Sequence, residues 1–219
     1  VRLEKREKLK HEIVYATIKD AIISYEIKPG AMLPERELSS KLGVSRTPIR
    51  EALHRLNMEG LVDCIPEKGA FVAKQSLVHY IEISEVREAL EGFAVRLCTT
   101  RKNEDIVSQL DNKYRDIVKY LECGDFRKAV KCDIEFHQII FQGANNKKLE
   151  SFLLNIYDQI KWFAATTVDD PERIKASLKQ HQEILQAIIN HDGDSAENLM
   201  RQHIQDVRKY HVSKHYRFR

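Results

Sequence analysis

Glycine and proline are scarce in this chain, with 8 and 5 copies among 219 residues. Little therefore interrupts helices, and long helical segments are expected to dominate. The four cysteines, Cys64, Cys98, Cys123 and Cys132, form no CxxC pair. This gives no paired-cysteine zinc motif, and they read as reduced thiols of a cytoplasmic protein. No apolar run approaches the length of a membrane span and no signal-like apolar stretch opens the sequence, so no membrane partner is expected. There is no internal repeat, no low-complexity tract and no HExxH sequence.

Hydrophobic residues make up 42% and charged residues 32%, the balance of a soluble globular protein long enough for one large domain or two modest ones. The net charge is only +3, yet it is unevenly placed. Residues 1–74 hold 14 Lys and Arg against 11 Asp and Glu, whereas the remainder holds 22 of each. The whole basic excess lies in the first third, which points weakly to a polyanion partner there.

Val14, Ile18, Ala21, Ile22 and Tyr25 follow helical spacing and predict an amphipathic helix from about Lys5 to Tyr25. "KPGAML" breaks it. A short helix is expected from Glu35 to Leu42, ended by Gly43, and another from about Thr47–Pro48 to Met58 with Ile49, Ala52, Leu53 and Leu56 inward. Thr47 before Pro48 suits an N-cap followed by proline at the first helical position. "LVDCIPEKGAFVAK" then changes period: Leu61–Ile65 and Ala70–Ala73 predict two strands joined by a "PEKG" turn. Helix, tight turn, helix and hairpin together make a winged helix-turn-helix. Capping accounts for Thr47 and Pro48 but not for Arg46 and Arg50, four apart on the face opposite the apolar stripe. Two cations near the positive end of a helix dipole call for an anion, and DNA phosphates and guanine edges are suitable receivers. Lys68 and Gly69 at the hairpin tip could reach a neighbouring groove.

"PERELSSKLGVSRTPIREALHRLNMEGLV" followed by "KGAFV" resembles the DNA-binding domain of GntR-family bacterial transcription regulators. The resemblance implies DNA contacts from Arg36, from Ser45, Arg46, Thr47 and Arg50 on the recognition helix, and from Lys68 and Gly69 on the wing. Glu35 and Glu51 would serve the scaffold.

From Ser76 the strand signal disappears, and Lys74–Ser76 is the expected domain boundary: 1–75 for the reading head, 76–219 for an antiparallel all-α bundle. Six helices are predicted, broken at "TTRKNED", "CGD", "GANN", "VDDP" and "HDGD". Three of them place a histidine where the stripe predicts a core leucine: His137, His181 and His203. Asp133, one turn before His137, projects from the same face. A buried unpaired carboxylate is costly, and a divalent cation shared with imidazoles offsets that cost. One Asp and three His suit zinc, nickel or another borderline metal. His54, His79, His191, His211 and His215 mostly fall off the inner stripes, and the i, i+4 pair His211/His215 lies in a basic tail.

"EVREALEGFAVRL", "CDIEFHQIIFQGANNKKL", "HQEILQAI" and "MRQHI" resemble the FCD effector-binding domain of the FadR-type branch of the same family. In its metal-binding members an aspartate and three histidines hold the ion, matching Asp133, His137, His181 and His203, and a small carboxylate effector sits against the metal. Arg87 and Asn146 match effector-contacting positions, although Arg87 can equally pair with Glu91 one turn on. Lys161 and Trp162 depart from a region that is richer in arginine in relatives. The resemblance implies a homodimeric, ligand-responsive regulator, a repressor in most relatives, on a palindromic operator. Two alternatives are a metal-dependent hydrolase in the bundle, and a metal-free bundle for dimerisation or acyl-chain binding.

Overall fold

The computed structural model describes residues 2–74, 76–101, 103–164 and 170–217. It divides into two compact units, Val1–Gln75 and Ser76–Arg219.

The first unit runs α1 (Arg2–Ile23), α2 (Glu35–Leu42), α3 (Arg46–Met58), β1 (Val62–Ile65) and β2 (Gly69–Val72). Val14, Ile18 and Ile22 of α1 are buried, as are Ile49, Ala52, Leu53 and Leu56 of α3, so the two apolar stripes share one core. Tyr15 is buried as well, its hydroxyl donating to Glu59 at 2.7 Å and the Arg55 guanidinium lying 3.6 Å above its ring. Gly43 ends α2 in the left-handed conformation (φ 64°), which a side chain disfavours, and the turn into α3 follows at once. β1 and β2 pair antiparallel from Val62↔Val72 to Ile65↔Gly69. "KPGAML" does more than break a helix. Met32 bridges Phe71, and Leu33 N–H donates to the Ala70 carbonyl at 2.8 Å, so this extended segment lies along the outer edge of β2.

The expected cap is corrected by two residues. Ser45, not Thr47, is the N-cap of α3, with extended φ −68° and ψ 170°, and the helix starts at Arg46. Pro48 then sits third in the helix. Its missing N–H costs nothing there, because the first turn has no intrahelical acceptors.

The second unit is six helices: α4 (Leu77–Thr100), α5 (Glu104–Glu122), α6 (Phe126–Gly143), α7 (Lys147–Ala164), α8 (Pro171–Ile189) and α9 (Gly193–Arg217). The break expected at "VDDP" falls partly outside the described residues. Each start carries a short polar side chain that accepts a first-turn N–H: Ser76, Asn103, Asp125, Asn146, Asp170 and Asp192. Pro171 follows its cap at the first helical position. α4 runs through the bundle against α6, α7, α8 and α9. Val95, Phe136, Ile140, Leu153, Ile184 and Met200 belong to the continuous apolar core that holds these helices in register. Two glycines permit close approach. A Cβ on Gly92 would meet Arg201 at 2.9 Å, and one on Gly143 would meet the Cys98 sulfur at 2.5 Å.

Candidate metal centre and DNA-reading surface

His137 on α6, His181 on α8 and His203 on α9 converge inside the bundle. Each is buried, and they can offer one nitrogen apiece with all three within 4.8 Å of one another. The His181 Nε2 to His137 Nε2 distance is 3.2 Å. Buried imidazolium ions this close together would repel one another. Burial pushes His181 down to about 4, against a smaller opposing pull from Asp133. Burial, then the neighbouring His181 and His137, hold His203 well below the usual imidazole range. Neutral imidazoles have lone pairs available for a cation.

Asp133 is partly exposed and stands at the edge of this cluster. Its Oδ1 lies 3.5 Å from His181 Nδ1, and that nitrogen is buried without a hydrogen-bond partner. A buried nitrogen left without a hydrogen-bond partner beside a carboxylate, on a ring that itself meets two further imidazoles, suits a cation with N and O preferences.

Two supporting groups lie behind the histidines. Glu91 on α4, fully buried, takes His137 Nδ1 at 2.6 Å and also pairs with the Arg87 guanidinium. Burial pushes the Glu91 carboxyl up, but Arg87 and His137 outweigh it and bring it to about 2. Gln180 Oε1 lies 2.9 Å from His203 Nδ1, and its amide donates to Asp206. Such partners fix ring orientation and tautomer in metal sites. Glu91 was visible in the sequence only as an i+4 partner for Arg87. Gln180 gave no signal, since its role depends on two helices meeting.

A partly open cavity adjoins the cluster. Arg87, Asp133, Tyr157, Arg173, His203 and His211 are among its lining residues. Arg87 is already engaged, by Glu91 and by the Tyr157 hydroxyl at 3.1 Å. Asn146 does not line the cavity. It caps α7, its side-chain oxygen accepting the Leu149 N–H at 3.2 Å. His211 departs from the off-stripe expectation: its ring meets Tyr80 edge-on at 4.9 Å, and burial lowers it to about 4. The His215 side chain lies outside the described residues. Lys161 pairs with Asp158 and Trp162 is buried; neither lines the cavity.

On the first unit, Arg36, Ser45, Arg46, Thr47, Arg50, Lys68 and Gly69 are all exposed. Among the described residues, Arg36, Arg46 and Lys68 have no ion-pair partner. The Arg50 Nε donates to both Glu35 oxygens, at 2.9 and 2.7 Å, and Glu51 takes His11 at 2.6 Å. Both glutamates thus serve the scaffold.

Residues 10–72 match the bacterial regulatory proteins of the gntR family, and residues 82–206 match the FCD domain. This chain belongs to the GntR family of bacterial regulators. The regulator is 30% identical to the HTH-type transcriptional repressor RspR of Escherichia coli K12, over 89% of this chain and 85% of that protein. It is 31% identical to the Nta operon transcriptional regulator of Aminobacter aminovorans, over 84% and 85%. Its fold is that of the solved structure of E. coli McbR/YncC, with a TM-score of 0.80 at 20% identity, covering 94% of this chain and 98% of the other. The regulator is therefore a DNA-binding transcription factor and not an enzyme, which removes the hydrolase alternative. No helix among the described residues is long and apolar enough to cross a membrane.

Proposed function

We propose that this protein is a metal-containing repressor of the FadR-type branch, acting in the cytoplasm as a homodimer on a palindromic operator and released by a small carboxylate metabolite. The single observation that carries the sensing half is the convergence of His137, His181 and His203, buried, with His181 and His203 held neutral, beside the orphaned nitrogen of His181. Those three imidazoles, with Asp133 as the oxygen donor, would hold a borderline divalent ion, zinc or nickel. When bound, the ion supplies a Lewis-acidic point for a ligand carboxylate. The chain itself supplies the rest: Glu91 and Gln180 orient His137 and His203, and the bundle keeps water from the rings. The buried histidine cluster disfavours the metal-free, acyl-binding alternative, because an apolar ligand tunnel has no use for three convergent imidazoles.

The reading half rests on the exposed Arg36, Arg46, Arg50 and Lys68 around the α3 N-terminus and the hairpin tip, with Ser45, Thr47 and the Gly69 backbone between them. The arginines present forks for phosphate and guanine, and the hydroxyls suit phosphate oxygens. The effector acts by binding the DNA-fit and DNA-unfit states with different affinity.

Elemental analysis of purified wild type and a His181→Ala variant tests the metal centre, with near-stoichiometric metal expected only in the wild type. Equal metal in both refutes it. A gel shift with DNA from the protein's own gene neighbourhood tests the reading half. A salt-sensitive, sequence-specific complex is expected, weakened when Arg46 is replaced by alanine.

A further inference from the structure

On the surface that faces DNA, one cation is unlike the others. Arg36, Arg46 and Lys68 are exposed and make no ion pair among the described residues, so each presents its full charge. Arg50 is held. Its Nε–H is shared between both carboxylate oxygens of Glu35, at 2.9 and 2.7 Å. The carboxylate is the inner partner and the guanidinium the outer one, with side-chain exposures of 35% and 66%. Among the described residues these bonds use Nε alone, which leaves the Nη1/Nη2 end of the fork open. Glu35 is itself well anchored: it opens α2, where an acid is favoured by the helix dipole. The pair lines a groove that also takes in Pro66 and Gly69 of the hairpin turn, so it stands between recognition helix and wing.

A phosphate and a guanine edge ask different things of an arginine. Phosphate is an anion, drawn by net charge and by the counterions it releases. Guanine O6 and N7 are neutral acceptors that need two N–H groups in one plane, as the end of a guanidinium fork supplies. A carboxylate against Nε cancels the net charge and leaves that end free. It also repels a phosphate oxygen that approaches. Tethering at Nε further reduces the rotamer freedom that docking would otherwise remove.

We infer that Glu35 is a specificity determinant: acting through Arg50, it makes that arginine a reader of guanine and not a holder of phosphate. Arg50 then contributes little to binding DNA of arbitrary sequence and much to the choice of one G·C pair in each half-site. Grip on the backbone falls to the uncompensated cations Arg36, Arg46 and Lys68. The inference rests on the DNA-reading half of the function proposed above and is independent of the metal centre.

The test uses the full-length chain. A duplex that the wild type selects from a randomised library is the specific probe, and a shuffled duplex of the same composition is the non-specific one. Anisotropy titrations over a range of salt compare wild type, Glu35→Gln, Glu35→Ala and Arg50→Met. Melting temperatures should differ little, because an exposed ion pair contributes little to stability. In Arg50→Met, discrimination at one G·C pair of each half-site is expected to fall about tenfold or more, with the shuffled duplex bound as before. Glu35→Gln keeps an acceptor for Nε but no charge. It is expected to bind the shuffled duplex several-fold more tightly, with a logarithmic salt slope steeper by about 1 per protomer. Glu35→Ala should do the same and, with Arg50 untethered, also relax the choice at that pair. Wild-type affinity and slope for Glu35→Gln on the shuffled duplex overturn the inference. So does an Arg50→Met variant that weakens both duplexes alike, or one whose sensitive pair is not G·C. A library from which the wild type selects no sequence overturns the DNA-reading proposal itself, and the role of Glu35 falls with it.

Discussion

Glu91 shows how one buried carboxylate can serve two neighbours. It sits at 0% exposure between the Arg87 guanidinium and His137 Nδ1, and among the described residues neither neighbour has another carboxylate in ion-pair distance. Replacing it with glutamine leaves a buried cation without its counter-charge, which is expected to cost about 3–5 kcal/mol in urea unfolding. Replacing Arg87 with methionine and Glu91 with leucine together should recover most of that loss, because no charge is then left stranded. Metal affinity should remain low in the pair variant. His137 has lost the acceptor that orients it, and a loss of roughly 10–100-fold is expected in competition with a chelator. A pair variant with wild-type metal affinity would reduce Glu91 to a packing role.

Two glycines at helix contacts in the bundle differ in what surrounds them. In Gly143→Ala on α6, the new methyl would stand 2.5 Å from the Cys98 sulfur and 2.9 Å from an Ile106 methyl, both held in packed helices. Nothing there yields cheaply, so a loss of about 1–3 kcal/mol in denaturant unfolding is expected. In Gly92→Ala on α4 the obstacle is the Arg201 side chain at 2.9 Å, whose stem can swing aside. That variant should lose much less. The α2–α3 turn follows a different rule: a Cβ on Gly43 meets nothing within 4 Å, so Gly43→Ala pays only for its φ of 64°. The expected loss is about 1–2 kcal/mol, with DNA affinity following the geometry of the turn.

For the whole molecule, acid is the expected weakness. His181 falls from its ordinary 6.5 to about 4 on folding, so between those values the unfolded chain binds more protons than the folded one. Its contribution is complete above about pH 6.5 and declines as pH falls toward 4, by about 3 kcal/mol across the window. His203 is shifted the same way. Glu91, lowered to about 2, adds a further loss below about pH 4.5. Urea midpoints of metal-free protein at pH 7.5, 6, 5 and 4 should fall steadily, and the fall should flatten when His181 is replaced by glutamine. A flat profile in the wild type would contradict neutral burial of His181 and His203.

Helix positions, the wing hairpin and the three inward histidines were legible from periodicity, because burial on one face leaves a mark at every third or fourth residue. So were the cations around Gly43 and Pro48, which no capping rule explains. The two-residue correction at Ser45 reflects a small difference, since serine and threonine both serve as N-caps and proline is tolerated throughout a first turn. Which groups stand behind the histidines, which arginine is already satisfied and which is left with an open fork depended on helices distant in sequence. Arg87 and Arg173 look alike in the chain. Only packing placed a glutamate and a tyrosine hydroxyl on one and left the Nη2 of the other without a hydrogen-bond partner among the described residues, because hydrogen-bond satisfaction is a property of positions in space, and those are decided when α4, α6, α8 and α9 close on a common core.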